Sequence, residues 1–167
     1  YEQTYKNSLQ FALRIKHLIK LNMGSFIRCS IGIAPNMFLA KMAAESKKPD
    51  GLTFLHIYDL KKFFSSMKKI TNICGIAHRM QNNLKDLNIK TPLDFFNSDI
   101  QKLKNQFGKM GEYWYLNLHG YDTNQITSNT LPKSVSQSHV LEPKYRNWNL
   151  AWSVCEKLIF KAAKRLR

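Results

Sequence analysis

Carboxylates are scarce in this chain, with 11 Asp and Glu against 26 Lys and Arg and a formal charge of +15. No two acidic residues are adjacent and none are separated by a single residue. No local segment therefore offers the clustered carboxylates that hold two metal ions about 3.5–4 Å apart. Glu45, Asp50, Asp94, Asp99 and Glu112 read as capping or surface charges. Cysteine is also sparse. Cys29, Cys74 and Cys155 are far apart and no Cys-x-x-Cys pair exists, which leaves zinc without support. Cys29 and Cys74 sit in apolar runs and read as buried, inert thiols, in keeping with a reducing cytoplasm. No apolar run approaches the roughly 18 residues of a membrane span, and no signal peptide opens the sequence. The five histidines are scattered, and no Ser-His-Asp or Cys-His nucleophile set stands out. Neither a fixed-period repeat nor a low-complexity tract is present.

What the chain does have is cationic charge and enough apolar residues, 44%, for a real core. A positive field of this size recruits polyanions, nucleic acid foremost. A ribosome-associated or simply basic protein is the bland alternative. A membrane surface fits less well, because no helix is basic on one face and broadly apolar on the other. The length of 167 residues gives one or two domains. The sequence opens at Tyr1 inside one helical pattern and closes at Arg167 inside another, and so reads as a fragment of a longer protein.

Leu9, Leu13, Ile15, Leu18, Ile19 and Leu21 recur at helical spacing and predict an amphipathic helix ended by Asn22-Met23-Gly24. Phe26 to Ile33 reads as a strand. Pro35 suits the first turn of a following helix that buries Phe38, Leu39 and Met42. Lys48-Pro49-Asp50-Gly51 is a turn and Leu52–Leu55 a short second strand. Two strands do not make a stable sheet, so further strands are expected upstream. From Tyr58 to about Asn124 the pattern is helical throughout, and 122–132 reads as a linker. Ser134–Leu141 alternates like a strand. Asn147 is a candidate cap for a last helix that buries Leu150, Val154, Leu158 and Ile159 and ends in a strongly basic run. The expected class is α+β: a mostly helical fragment with a partial α/β layer, a helical middle and a C-terminal strand-helix unit.

Three segments carry chemistry. Lys48, fixed before Pro49, can act as a point charge on a polyphosphate, or can simply complement a helix end. Gly75-Ile76-Ala77-His78-Arg79 has the look of a helix-hairpin-helix turn, in which helix N-terminal amides face a DNA phosphate. Such contacts hold a duplex without reading its sequence. An ordinary helix-turn-helix corner is the alternative. Alanine at the second glycine position would pay a penalty if its φ were positive. Gly108-Lys109-Met110-Gly111 reads as a second, looser hairpin or a plain helix-helix turn. Tyr113, Trp114, Tyr115 and Leu118 read as core rather than as base-stacking platforms.

Cys29-Ser30-Ile31-Gly32-Ile33-Ala34-Pro35-Asn36 through Lys47-Lys48-Pro49-Asp50-Gly51 resembles the late palm segment of the Y-family (translesion) DNA polymerases. The order of parts is similar to that family over nearly the whole chain. The resemblance implies the end of a palm over 1–56, a helix-hairpin-helix thumb over 57–126, and a linker with the start of a little finger over 127–167. Pro132 to Ser136 and His139-Val140-Leu141-Glu142-Pro143 resemble the little-finger entry strand of bacterial DNA polymerase IV-like proteins. Carried over by residue, Lys48 would contact a deoxynucleoside triphosphate. Gly75, Ile76, Ala77, His78 and Arg79 would hold one DNA-backbone phosphate, and Gly108, Lys109 and Gly111 another. Lys133, Ser134 and Ser136 would lie along the duplex. Three positions depart from the family pattern: Met37 stands for a lysine, Glu45 for an aspartate and Ala77 for a glycine. The family's Mg²⁺-binding carboxylates belong to segments that would precede Tyr1, so no metal or catalytic residue is named here. The resemblance implies primer-template DNA as partner, a sliding clamp through regions not present, no membrane, and a bacterial cytoplasmic, nucleoid-associated location. A non-catalytic helix-hairpin-helix module or inactive paralogue is the rival reading. A hairpin domain of a nuclease or ligase is weaker, since it leaves the strand-helix-Lys-Pro segment unexplained.

Overall fold

The computed structural model describes residues 2–123 and 134–166, with side chains from residue 5 onward. It divides into two compact units, Tyr1–Gln125 and Ile126–Arg167. In the first unit, helix α1 (Glu2–Met23) is followed by β1 (Ile31–Ile33), α2 (Met37–Ser46) and β2 (Leu52–Phe54). The strands pair in parallel with Ile31 opposite Leu52 and Ile33 opposite Phe54, so β1-α2-β2 is a crossover unit. The strand expected over Phe26–Ile33 is thus only its last three residues. Strand length is set by the partner as well as by propensity, and β2 offers β1 just three residues.

Helix α2 starts at Met37, two residues later than Pro35 suggests. Asn36 is its cap, accepting from Leu39 N at 2.8 Å, and Pro35 lies outside the helix. The same buried Asn36 side chain donates to the carbonyls of Asn117 and Tyr121 at 2.9 and 3.0 Å, which fastens the start of α2 to residues 81 and 85 positions further along the chain. Lys16 fastens the other side. Its Nζ donates to the carbonyl of Cys29 at 2.7 Å, and to the carbonyl and carboxylate of Asp50 at 2.8 and 2.5 Å.

Five short helices follow: α3 (Leu60–Ser66), α4 (His78–Asp86), α5 (Pro92–Phe96), α6 (Ile100–Phe107) and α7 (Lys109–Leu118). One-turn 3-10 segments precede α3 and α4 at Ile57–Asp59 and Ile70–Asn72. A single buried core runs from Phe38, Leu39 and Met42 on α2 through Phe64, Ile70, Leu84, Phe95 and Leu103 to Trp114 and Leu118 on α7. Trp114 makes edge contacts with Phe95 and Phe107 at centroid distances of 5.8 and 5.4 Å, and Tyr113 and Tyr115 are half-buried beside it.

In the second unit, α8 (Trp148–Leu166) is capped by Asn147, which accepts from Leu150 N at 2.9 Å. The expected strand over Ser134–Leu141 is not formed: the segment is irregular, with no ladder partner among the described residues. The helix buries none of its residues. Val154 and Leu158 are half-buried, while Leu150 and Ile159 are exposed. The α+β class stands, with its two strands confined to the first unit. No helix among the described residues is long and apolar enough to cross a membrane.

Candidate nucleic-acid interface

Lys48 lies just beyond α2, where Lys47 leaves helical geometry with φ −129°. Its Nζ is not free: it meets Glu45 Oε1 at 2.6 Å, across the helix end. Both side chains are about half exposed, at 57% and 51%. The cationic end of Lys48 thus reaches solvent and is held by one carboxylate.

At the first hairpin, the glycine that matters is Gly75, with φ +86°, a conformation that favours glycine. The position is backed by the buried Trp114 indole. Ala77 has φ −94° and ψ 176°, so the penalty expected for alanine does not arise. Ile76 points inward at 3% exposure, and its amide already donates to Ile73 O at 3.0 Å. It is an anchor for the turn, and its amide is not available to an anion. Ala77, His78 and Arg79 are exposed at the start of α4. Ala77 provides no side-chain cap, so the first amides of α4 are left open to an outside acceptor. The segment before the turn is one 3-10 turn, shorter than a full hairpin helix.

At the second turn Gly108 has φ +60° and ψ −138°, and α7 begins at the exposed Lys109 without a side-chain cap. Gly111 is different. It is buried inside α7, where an added Cβ would strike the Leu103 carbonyl of α6. Helix packing accounts for this glycine without any ligand. Glu112 pairs with Lys104 at 3.0 Å next to Lys109.

Ser134 and Ser136 are exposed in the second unit, and the Ser136 carbonyl accepts from Arg165 at 3.3 Å. Lys133 lies outside the described residues.

The fold sets the body of α2 against the first hairpin turn around one cleft, which Lys48, His78 and Arg79 do not line. A cleft of about 840 Å³ is lined on one side by α2, through Lys41, Glu45 and Ser46. On the other side are Lys68, Thr71 and the Cys74–Ala77 turn. The Gly108 turn does not line it. Lys41 and Lys68 add charge to this cleft and were not singled out from sequence. Lys41 had only helical phase as a signal, opposite the buried Leu39 and Ala43, and Lys68, which lies outside any helix, had none. Among the described residues no group of three His, Cys, Asp or Glu side chains could hold a metal ion.

The impB/mucB/samB family model matches residues 1–45. The DNA polymerase IV of Pelotomaculum thermopropionicum is 35% identical over 135 residues, covering 81% of this chain and 33% of that protein. The DNA polymerase IV of Moorella thermoacetica is 31% identical over 161 residues, 95% of this chain and 40% of that protein. A solved Y-family DNA polymerase chimera of Dbh and Dpo4 superposes with a TM-score of 0.68 at 24% identity, covering 95% of this chain and 45% of its own. The chain thus spans between a third and a half of the length of these proteins. On these matches the chain belongs to the Y family of DNA polymerases, alongside the DNA polymerase IV proteins.

Proposed function

We propose that this chain is the late palm, thumb and beginning of the little finger of a translesion DNA polymerase, and that it grips primer-template DNA and the incoming nucleotide. On this reading the palm ends near residue 56 and the thumb near residue 126. The observation that carries the proposal is the shared cleft. Helix α2, which ends at Ser46 two residues before Lys48, and the Cys74–Ala77 turn that opens α4 line the same concavity. Lys48 would offset triphosphate charge, and the α4 and α7 N-termini would each donate amide hydrogen bonds to a backbone phosphate, the interaction that helix dipoles and uncapped amides favour. Mg²⁺ supplies charge neutralisation and activation of the primer hydroxyl in phosphoryl transfer. The described residues do not fit a two-ion site, so no step of that chemistry is assigned to them. The isolated chain is expected to bind DNA without polymerising, and templated incorporation by it would refute that.

The rival is a non-catalytic DNA-binding module. It is favoured by Glu45, which occupies Lys48. Titration of the chain with a fluorescent primer-template duplex at several salt concentrations tests the grip. The expected slope of log affinity against log salt is roughly −3 to −6, from about 0.9 per phosphate contacted, with little sequence preference. Lys109→Gln should make the slope less negative by about 1. Absence of binding at low salt would sink both readings. Binding that Lys109→Gln and His78→Gln/Arg79→Gln leave untouched would remove the hairpins from the interface. A triphosphate that binds the chain and is lost in Lys48→Gln separates the polymerase reading from the module.

A further inference from the structure

Away from the cleft, α1 and the 25–29 segment enclose a smaller cavity of about 350 Å³. It shares no lining residue with the larger cleft. Lys16, His17, Lys20, Arg28 and Asp50 carry its polar chemistry. Asp50 is its one lining carboxylate, and it is spoken for by Lys16, whose side chain is only 18% exposed. The Lys16 hydrogen bond holds the Asp50 carboxyl below its usual range, against some desolvation, with the charges of Lys16, Arg28 and Lys20 adding to it. Asp50 is therefore ionised and neutralised at neutral pH. Lys20 and Arg28 remain exposed, and beyond their longer-range pull on Asp50 neither forms a direct ion pair among the described residues.

Three cations around a single carboxylate leave an excess of two positive charges at one concavity. No second carboxylate among the described residues lines the cavity to balance that excess, and an oxyanion with two or more charges would. The guanidinium of Arg28 matches phosphate oxygens as a bidentate fork, and Lys20 adds a mobile point charge. We propose that this cavity is a second phosphate-binding site, separate from the hairpin turns, in which Arg28 and Lys20 hold the phosphate while Lys16 keeps Asp50 from repelling it. The phosphate can belong to a nucleic-acid strand or to a free polyphosphate. The site does not depend on the polymerase reading, because none of its residues lies in the hairpins or at Lys48.

The test titrates inorganic pyrophosphate into the chain and follows the Arg28 Nε–H signal by NMR. The duplex salt slope is measured in parallel. Lys20→Gln/Arg28→Gln is the variant, since both side chains are exposed and removing them leaves no buried partner behind. Arg28→Lys keeps the charge and loses the fork, Lys61→Gln, an exposed lysine outside both sites, is the control, and Lys48→Gln reports binding at the end of α2. Pyrophosphate should move the Arg28 signal, bind the double variant at least fivefold more weakly, and bind Lys61→Gln as it binds the parent. Arg28→Lys should fall between. A duplex slope less negative by about 1 to 2 in the double variant would identify a nucleic-acid backbone as the source. An unchanged slope with lost pyrophosphate binding would identify a free polyphosphate. If the double variant matches the parent in both measurements, or if Lys48→Gln rather than the double variant loses pyrophosphate, the site does not exist.

Discussion

Glu45 and Lys48 form an ion pair across the end of α2, at the one lysine that the family resemblance assigns to a triphosphate. Both partners are about half exposed, so the pair contributes at most about 1 kcal/mol. A polyphosphate can displace it, at that cost. Glu45→Gln should therefore tighten triphosphate binding about 2- to 5-fold at low salt, while Lys48→Gln weakens it. Equilibrium dialysis with a labelled nucleotide checks both. Unchanged affinity in Glu45→Gln alongside a loss in Lys48→Gln would show that the carboxylate does not compete. Residue types made Lys48 and Gly75 legible in the sequence, since a lysine before proline and a glycine in a hairpin each announce a local geometry. They could not show that Glu45 reaches Lys48, because Lys47 leaves the helix between them. Nor could they show which hairpin position takes positive φ. Gly75 does and Ala77 does not, so alanine in the second place is unstrained.

Helix ends were readable where they are made by neighbours in sequence. The run Leu84-Lys85-Asp86-Leu87-Asn88-Ile89 closes α4 as a Schellman motif. Ile89 N donates to Leu84 O at 3.0 Å, Asn88 N donates to Lys85 O at 2.8 Å, and Asn88 takes φ +59°. Two residues on, Thr91 and Asp94 form a capping box around Pro92. The strands were not readable in the same way. Phe26–Ser30 and Ser134–Leu141 carry strand-like patterns without a ladder, because a strand needs a partner that local pattern does not specify. The capping box yields a pH prediction. The Thr91 amide hydrogen bond, chiefly, holds the Asp94 carboxyl below its usual value. A lowered folded pKa means stability that is present above the unfolded value of about 4 and lost as pH falls through the lower folded one. Asp94→Asn should cost about 0.5–1 kcal/mol at pH 7 and flatten the pH dependence below about pH 4. Urea melts at pH 3 and pH 6 measure both. Equal losses at the two pH values would show that the carboxylate charge is irrelevant to the cap.

The molecule as a whole is unevenly consolidated, which local pattern does not reveal because apolar residues are spread along the full length of the chain. Every buried apolar residue of the described chain lies between Ala12 and Leu118. Asn36 ties that core together from within: its side chain caps α2 and also satisfies one carbonyl at the end of α7 and one just beyond it. Residues 134–166 bury nothing, and α8 exposes Trp148, Trp152, Ile159 and Phe160. An isolated helix of that length is marginal in water, because nucleation is costly and tertiary packing normally supplies its stability. Cooperative unfolding should therefore belong to the first unit. A chain ending at Gln125 is expected to unfold in urea at the same midpoint as the parent, followed by Trp114 fluorescence, which reports a buried indole. A peptide of residues 134–166 should show weak helicity by circular dichroism and no sigmoidal melt. If deletion lowers the midpoint, the second unit contributes stability that its own burial does not reveal. If the peptide melts sigmoidally, α8 is consolidated by contacts beyond those of a lone helix.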